Sequence, residues 1–363
     1  MRRRVIPWWK TKFGVAEINA VSTAILEENI SQGPITERFE AKLGDLLGVP
    51  HVIATSSGSA ALAMSLMAVG IGRGDEVIVP NRGWIATPHA VQLLGATPIF
   101  ADVERGRPII QSRGLERLIT KKTRAIVPVH LNGRSAKMKE VLEIAQQNGL
   151  SVVEDAAQAC FSRNLQGALG TQGDVGCFSL SVAKVISTGQ GGFAVTADGQ
   201  LAEQLRAIRT QGVENIKEPG TWGVPGFNFR ITDIQSAIGL IQLRKLKQRI
   251  KKIRQIYDLY LDGLRGCPGI DIIPVSCDDG EIPIYNEVMC KDRDRLASAL
   301  LDSKVETRKF VPNLSAAEYF NSAERAFKNS EKFQSYGITL PSGPGQRLSD
   351  IKIVIQIIRS LAG

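Results

Sequence analysis

The sequence predicts an α/β fold in which a mostly parallel central sheet forms a large domain and a smaller α+β domain follows. Between about residues 50 and 200, short apolar runs alternate with stretches of helical periodicity. Such alternation is typical of β–α–β units, and continuous valine and isoleucine runs are typical of parallel strands buried on both faces. The pattern changes after about Asp262. We therefore predict a large domain at 1–240, including the N-terminal segment, and a small domain at 241–363.

The elements of the large domain follow in the order expected of a wound sheet. Strands are predicted at Val52–Ala54, Glu76–Val79, Thr97–Phe100, Ala125–Val129, Leu150–Glu154 and Gly191–Thr196. Helices are predicted at Ser59–Val69, from about Thr87, at Lys137–Asn148, and over a long stretch that begins near Thr232. That long helix would join the two domains and hold them in a fixed relation.

The small domain is predicted to contain short strands between helices. The strands are expected at Asp271–Ile273, Ile282–Val288 and Lys304–Thr307, and the helices at Asp292–Leu301 and Leu348–Leu361. In the joining helix an apolar stripe is formed by Leu243, Leu246, Ile250 and Ile253. The basic run at 244–254 is then predicted to lie on the outer, solvated face.

Composition excludes several classes of protein. The 363 residues carry a net charge of +9, which suits an anionic small molecule, a nucleic acid or a membrane surface equally. The apolar runs are shorter than the ~20 residues that span a bilayer, and no apolar region follows Arg2–Arg4 as in a signal peptide. We therefore expect a cytoplasmic protein without membrane association.

Cysteines and histidines do not indicate a metal site. The five cysteines form no C-x-x-C pair, and the three histidines do not cluster, so no metal is expected. Cys160 and Cys177 stand among apolar residues and are predicted to be buried, inert thiols. His130 is predicted to be packed and hydrogen-bonded rather than catalytic.

Three segments at predicted strand ends contain polar residues that suggest chemistry. Thr55–Leu62 follows a strand and opens a helix, so it is either a phosphate cradle or a simple N-cap. Glu154 and Asp155 end an apolar strand, where a carboxylate would cap a helix or keep a cationic partner protonated. Lys184 stands alone among apolar residues before a glycine-rich turn, and is either a snorkelling side chain or a Schiff-base lysine.

The order of these segments resembles that of fold-type I pyridoxal phosphate enzymes, with Lys184 following Asp155 by 29 residues. Over most of its length the chain is similar to the DegT/DnrJ/StrS family of sugar aminotransferases. The motifs that resemble the family are Gln32–Pro34 with Phe39-Glu40, Ser57–Leu62, Gly74–Pro80, Val127–Gly133, Glu154–Gln158, Phe178-Ser179 with Lys184, and Gly226–Arg230.

The resemblance implies a role for each matching residue. Lys184 would bind pyridoxal 5'-phosphate as a Schiff base and act as general base, and Asp155 would pair with the pyridine nitrogen. Trp84 would stack on the ring, although a core aromatic is the alternative, and Gln158 would lie near the phenolic oxygen. The residues implied to hold the phosphate are Ser57, Gly58, Ser59 and Ser179. Asn228 would reach the phosphate in the neighbouring subunit of a homodimer.

The implied reaction moves an amino group from an amino acid donor, glutamate, to a nucleotide-linked keto-sugar, with pyridoxamine phosphate as the intermediate cofactor form. The chain departs from the family at Cys160-Phe161, at Gln190, beside Lys184 and at Phe310–Leu314, which leaves the sugar open. One alternative is a sugar dehydratase of the same superfamily, whose members replace the lysine by histidine. Another is a regulatory or nucleic-acid-binding protein, although no helix-turn-helix signature is present.

Overall fold

The computed structural model describes residues 4–213, 222–320 and 326–362. Its strands are β1 (His51–Thr55), β2 (Glu76–Pro80), β3 (Thr97–Ala101), β4 (Thr123–Ile126), β5 (Ser151–Asp155), β6 (Arg163–Asn164), β7 (Gly167–Ala168), β8 (Val175–Ser179), β9 (Gly192–Thr196), β10 (Ile270–Ile272), β11 (Asn286–Cys290), β12 (Arg308–Lys309) and β13 (Gly337–Leu340).

Helices surround these strands. They are α1 (Val15–Leu26), α2 (Pro34–Leu47), α3 (Gly58–Ala68), α4 (Ala86–Leu93), α5 (Met138–Asn148), α6 (Gly199–Arg209), α7 (Asp233–Arg244), α8 (Leu246–Gly263), α9 (Arg293–Asp302), α10 (Lys328–Tyr336) and α11 (Leu348–Ala362). No helix in the described ranges is both long enough and apolar enough to cross a membrane.

The central sheet has seven strands in the order β1-β9-β8-β5-β4-β2-β3. Strands β3, β2, β4, β5 and β8 pair in parallel, whereas β9 runs antiparallel to both β8 and β1. Apolar clusters cover both faces of this sheet, which is why its strands consist of nearly continuous apolar residues. The predicted α/β fold with a mostly parallel sheet is confirmed.

The predicted strands of the large domain are confirmed, with one shortened. Regular pairing of β4 stops at Ile126, although the sequence predicts a strand through Val129. Pro128 has no N–H to donate to a neighbouring strand. Its carbonyl still accepts from the Asp155 N–H at 2.9 Å, so the segment lies beside the end of β5.

The small C-terminal sheet has the order β10-β11-β13-β12 and is antiparallel. The strand predicted at Ile282–Val288 begins only at Asn286, and the prediction of a strand over Lys304–Thr307 is wrong. Val305 instead forms an isolated bridge with Ile6 of the N-terminal segment, and pairing with β13 begins only at Arg308.

The long helix predicted from Thr232 is two helices, α7 and α8, that meet at Lys245. Thr232 caps α7 through its hydroxyl, which accepts from the Gln235 N–H. Helix α8 contributes Leu246 to the core of the large sheet and Ile256 to the C-terminal core. The C-terminal core also includes Ile6 from the N-terminal segment. The domain boundary at residue 240 stays a prediction.

Candidate active site

The polar residues predicted from the sequence meet along one edge of the central sheet. Asp155 ends β5 and pairs in register with Cys177 of the adjacent β8. Ser179 ends β8 and pairs with Gly192, which in turn pairs with Thr55 at the end of β1. Asp155, Ser179 and the segment that follows Thr55 therefore line the same edge, where helices begin.

The N-terminus of α3 forms a narrow cradle at this edge. The Ser57 Oγ accepts from the Ala60 N–H at 3.0 Å, so the N-cap interpretation of this segment is confirmed. The N–H groups of Gly58 and Ser59 start the helix and have no intrahelical acceptor. A Cβ at Gly58 would lie 2.8 Å from the Ser179 Cβ, so only glycine permits this close approach. The donor set suits a phosphate group.

Asp155 is buried at 5 % exposure and is held in one orientation. One carboxylate oxygen accepts from the Thr87 hydroxyl at 2.6 Å, and the other from the Ala157 N–H at 3.0 Å. Thr87 lies on α4, one helical turn after Trp84. Sequence reasoning missed Thr87, because its hydroxyl gains meaning only when α4 is placed against the end of β5.

Lys184 follows β8 in an irregular segment and is partly buried. Burial lowers the pKa of its amine to about 8, while the charge of Asp155 acts to raise it. A snorkelling lysine would keep its amine in water and its pKa near 10.4. The environment is therefore that of an amine prepared for nucleophilic or basic chemistry.

A cavity of about 550 Å³ opens beside these residues. Its wall includes Trp84, Gln158 and Tyr285. The Trp84 side chain is 61 % exposed, so the alternative of a core aromatic is wrong. Gln158 is oriented by the Asn132 N–H, which donates to its Oε1 at 3.1 Å. The Tyr285 hydroxyl donates to the Ala183 carbonyl at 2.8 Å, which ties the cavity wall to the residue before Lys184.

Asn228 lies on the surface of the single chain. Its Oδ1 accepts from the Arg230 Nε at 2.9 Å, and its backbone pairs with Thr210. Among the described residues of one chain, the Asn228 side chain forms a hydrogen bond with Arg230 and with none of the other predicted site residues. The backbone of the next residue, Phe229, accepts from the Ser56 N–H at 2.7 Å.

Glu154 points to the opposite face of β5 and has a structural role. It is fully buried and accepts from the His130 Nε2 at 2.7 Å and from the N–H groups of Gly170, Gln172 and Gly173. Burial raises the pKa of Glu154, but the hydrogen bonds, with that of His130 foremost, bring it below the ordinary value. The prediction that His130 is packed and hydrogen-bonded is confirmed.

Cys160 and Cys177 are buried at 2 % and 0 % exposure, as predicted. Burial raises the pKa of both thiols well beyond the ordinary range, so neither is ionised at neutral pH. Across the described ranges, no group of three or more histidine, cysteine, aspartate or glutamate side chains is placed to hold a metal ion.

The basic run on α8 is not uniformly solvated, which corrects the prediction. Arg249 is buried at 4 % exposure, and its guanidinium donates to the carbonyls of Val185 and Lys12. It therefore ties the N-terminal segment to the irregular segment that contains Lys184. The sequence prediction placed Arg249 outward because it is part of a run of charged residues, and the local sequence does not show which loops cover this face of the helix.

Comparison with known proteins agrees with this geometry. A model of the DegT/DnrJ/EryC1/StrS aminotransferase family matches residues 12–359. The chain is 34 % identical to the GDP-perosamine synthase of Caulobacter vibrioides, with 90 % of this chain and 89 % of that protein covered. It is 32 % identical to the spore coat polysaccharide biosynthesis protein SpsC of Bacillus subtilis, with 99 % and 98 % covered.

A crystal structure of S. venezuelae DesV in complex with a ketimine intermediate matches with a TM-score of 0.94 at 31 % identity, covering 99 % of both chains. The fold and these matches define a pyridoxal phosphate-dependent sugar aminotransferase. The chain belongs to the DegT/DnrJ/EryC1/StrS aminotransferase family.

Proposed function

We propose that the protein transfers an amino group from glutamate to a nucleotide-linked keto-sugar, and that Lys184 and Asp155 are its catalytic residues. The observation that supports this most strongly is a partly buried lysine, whose pKa is lowered to about 8, within electrostatic reach of the oriented carboxylate of Asp155. Structural lysines are rarely placed in this way, because burial of their charge is costly.

The cradle at the start of α3 would hold the cofactor phosphate. Ser57, Gly58, Ser59 and Ser179 surround it, and the absence of a Cβ at Gly58 keeps the space beside Ser179 open. Unpaired N–H groups at a helix N-terminus favour a dianion through both hydrogen bonds and the helix dipole. The residues present therefore fit the phosphate end of pyridoxal phosphate.

Asp155, Trp84 and Gln158 would hold the ring of the cofactor. The Asp155 carboxylate is an acceptor for a protonated ring nitrogen, and Thr87 prevents it from rotating away. The Trp84 indole offers an exposed aromatic face for stacking. When bound, the cofactor supplies an electron sink for the electrons of the substrate C–H bond.

Lys184 would move the proton that this chemistry requires. With a pKa of about 8, its amine is partly uncharged near neutral pH, so Nζ can accept a proton from the substrate carbon and return it elsewhere. Burial also excludes water that would compete for the same proton.

The acceptor would be a sugar attached to a nucleotide. The cavity volume of about 550 Å³ is suited to a sugar with part of its carrier, and Arg308 and Lys309 give its wall positive charge. The similar GDP-perosamine synthase is named for a nucleotide-linked amino sugar. A nucleotide diphosphate is the anionic ligand that such a wall would attract.

A homodimer would complete each site with Asn228 of the partner subunit. Asn228 is exposed, and Phe227 nearby is 62 % exposed, as expected of residues that meet another chain. We place the reaction in the cytoplasm. All five cysteines lie in the described ranges and are unpaired, which suits a reducing compartment.

Absorbance spectroscopy tests the cofactor role of Lys184. Purified protein loaded with pyridoxal phosphate should show a band near ~420 nm that is absent from Lys184→Ala. Lys251→Ala, at an exposed position of α8, serves as a matched control and should keep the band. A protein without the band, or a Lys184→Ala variant that retains it, would contradict the proposal. A screen of nucleotide-linked keto-sugars with glutamate, read by mass, then identifies the acceptor.

A further inference from the structure

Arg82 is a buried cation on the cavity wall to which the proposed mechanism gives no role. It lies in the loop between β2 and α4, two residues before Trp84, and is 2 % exposed. Burial lowers its pKa to about 10, while the charge of Glu287 acts to raise it. The guanidinium is therefore charged at neutral pH, and the cavity wall contains a poorly solvated positive charge.

The partners of Arg82 in the structure are neutral. Its Nη1 donates to the Val311 carbonyl at 2.7 Å and to the Asn313 Oδ1 at 3.3 Å, and the guanidinium lies 5.5 Å from the centre of the Phe310 ring. The Nε is buried, and no described residue accepts from it or from Nη2. Nε and Nη2 form the edge of a guanidinium that binds a carboxylate through two parallel hydrogen bonds.

The neighbouring charges do not fill this edge. Glu287 accepts from the Asn132 Nδ2 at 2.9 Å and from the Arg134 Nη1 at 2.5 Å, both at its Oε2, and neither hydrogen bond of the Arg82 side chain goes to it. Of the other cations on the cavity wall, Lys309 contacts Asp294 at 2.8 Å, and Arg308 is exposed and lies over the Trp8 ring. Arg82 thus combines full burial, positive charge and a free pair of donors.

The chemistry of the two substrates decides which of them Arg82 recognises. Arg82 lines the same cavity as Trp84 and Gln158, the two residues that the proposed function places against the cofactor ring. Next to that ring a keto-sugar presents neutral hydroxyl and carbonyl groups, whereas an amino acid donor has a carboxylate on the reacting carbon or a few bonds away. We infer that Arg82 binds a carboxylate of the amino acid donor through its Nε and Nη2 edge. This inference rests on the proposed function.

Equilibrium binding of glutarate tests the inference. Glutarate is a diacid without an amine, so it occupies the donor site without reacting, and calorimetry on the cofactor-loaded enzyme reads its affinity directly. Arg82→Gln should weaken glutarate binding about 10- to 100-fold, because a charge-assisted pair of hydrogen bonds is lost. Arg82→Lys keeps the charge but lacks the paired donors, so its affinity for glutarate should lie between those of wild type and Arg82→Gln. Arg113→Gln, at an exposed position that does not line the cavity, is the matched control, and it should change the affinity less than about twofold.

Steady-state kinetics should also separate the effect of Arg82 on the amino donor from any effect on the nucleotide-linked sugar. In Arg82→Gln the KM for the amino donor should rise, whereas the KM for the sugar and the affinity for thymidine diphosphate should stay unchanged. Unchanged glutarate affinity in both Arg82 variants would overturn the inference. So would a loss confined to thymidine diphosphate, because it would assign Arg82 to the nucleotide.

The proposed function and this inference fail in different ways. If loaded wild-type enzyme aminates no keto-sugar, the proposed function fails, whatever the glutarate affinities are. If it does so and Arg82→Gln binds glutarate normally, only the inference fails. Should Arg82→Gln not fold, the comparison of Arg82→Lys with wild type decides the question, with a several-fold loss expected.

Discussion

Two adjacent carboxylates at the end of β5 have opposite surroundings. Glu154 accepts four hydrogen bonds on one face of the sheet, from His130 and three backbone N–H groups. Asp155 on the other face accepts two, from the Thr87 hydroxyl and the Ala157 N–H, and its charge acts on Lys184. The saturated carboxylate stabilises the fold, whereas the unsaturated one keeps capacity for a ligand. Residue type alone does not distinguish them, because strand alternation places them in different environments.

The largest effect is expected at Lys184. Lys184→Ala removes the proposed base and should lower the rate of amino transfer about 1,000-fold or more, with the thermal midpoint unchanged or raised, because a buried cation disappears. Steady-state kinetics measures the rate of amino transfer, and thermal unfolding measures the midpoint. Retention of more than about a tenth of the wild-type rate would contradict the role of Lys184.

Asp155→Asn should have the second-largest effect on the rate of amino transfer. The amide is nearly isosteric and cannot keep a ring nitrogen protonated, so kcat should fall about 100-fold or more while unfolding changes little. The measurement is kcat alongside denaturant unfolding of the same preparation. A variant that loses stability but keeps its kcat per folded molecule would place Asp155 with the structural residues.

Glu154→Gln should lower the stability of the fold and leave kcat unchanged, the reverse of Asp155→Asn. Loss of the charge leaves three backbone N–H groups and His130 without their anion, so the free energy of unfolding should drop by about 3–5 kcal/mol. Because the pKa of Glu154 is lowered in the fold, its stabilisation is present above the pKa of unfolded glutamate and is lost as pH falls. Urea unfolding measures the change in the free energy of unfolding. The kcat of the folded fraction should be preserved, and a large fall in kcat would contradict a purely structural role of Glu154.

The rate of cofactor loading should depend on pH through Lys184. An uncharged amine is needed to attack an aldehyde, and the pKa of Lys184 is lowered to about 8. Loading of the apoenzyme should therefore slow about tenfold for each pH unit below 8 and level off above it. Stopped-flow absorbance measures it. A profile that continues to rise toward pH 10 would indicate an ordinary solvated lysine.

Thr87→Val should have the smallest effect of the set. It removes one hydrogen bond to a carboxylate, so kcat should fall about tenfold, and Thr87→Ser should stay within about threefold of wild type. Both kcat and its pH profile are measured, because a merely structural threonine would leave the profile in place. Equal kcat in the two variants would remove Thr87 from the positioning of Asp155.

The sequence predicted the parts of the site that depend on local pattern. Ser57, Asp155 and Lys184 each follow a strand, and the carboxyl ends of neighbouring strands are where an α/β sheet binds ligands. Arg82 and Thr87 were not predicted, because their roles depend on distant packing. The Val311 carbonyl that fixes Arg82 is 229 residues away in the chain. Local patterns contain no information on which loops cover a side chain.

The same reason explains the errors in the small domain. Val305 and Thr307 favour a strand, but Val305 pairs with Ile6 of the N-terminal segment, and the sheet takes up the chain only at Arg308. Arg249 belongs to the basic run that was predicted to be solvated, yet it lies three residues after Leu246 and four before Ile253, at the edge of the apolar stripe. The N-terminal segment passes over it and accepts its hydrogen bond at Lys12.

Borohydride reduction of the loaded enzyme tests the division between the two carboxylates most directly. Reduction fixes a Schiff base as a stable amine, and peptide mass mapping then locates the modified lysine. We predict that wild type and Glu154→Gln are labelled on Lys184 alone. Labelling on any other lysine in wild type, or none, would contradict the assignment of the catalytic face of β5.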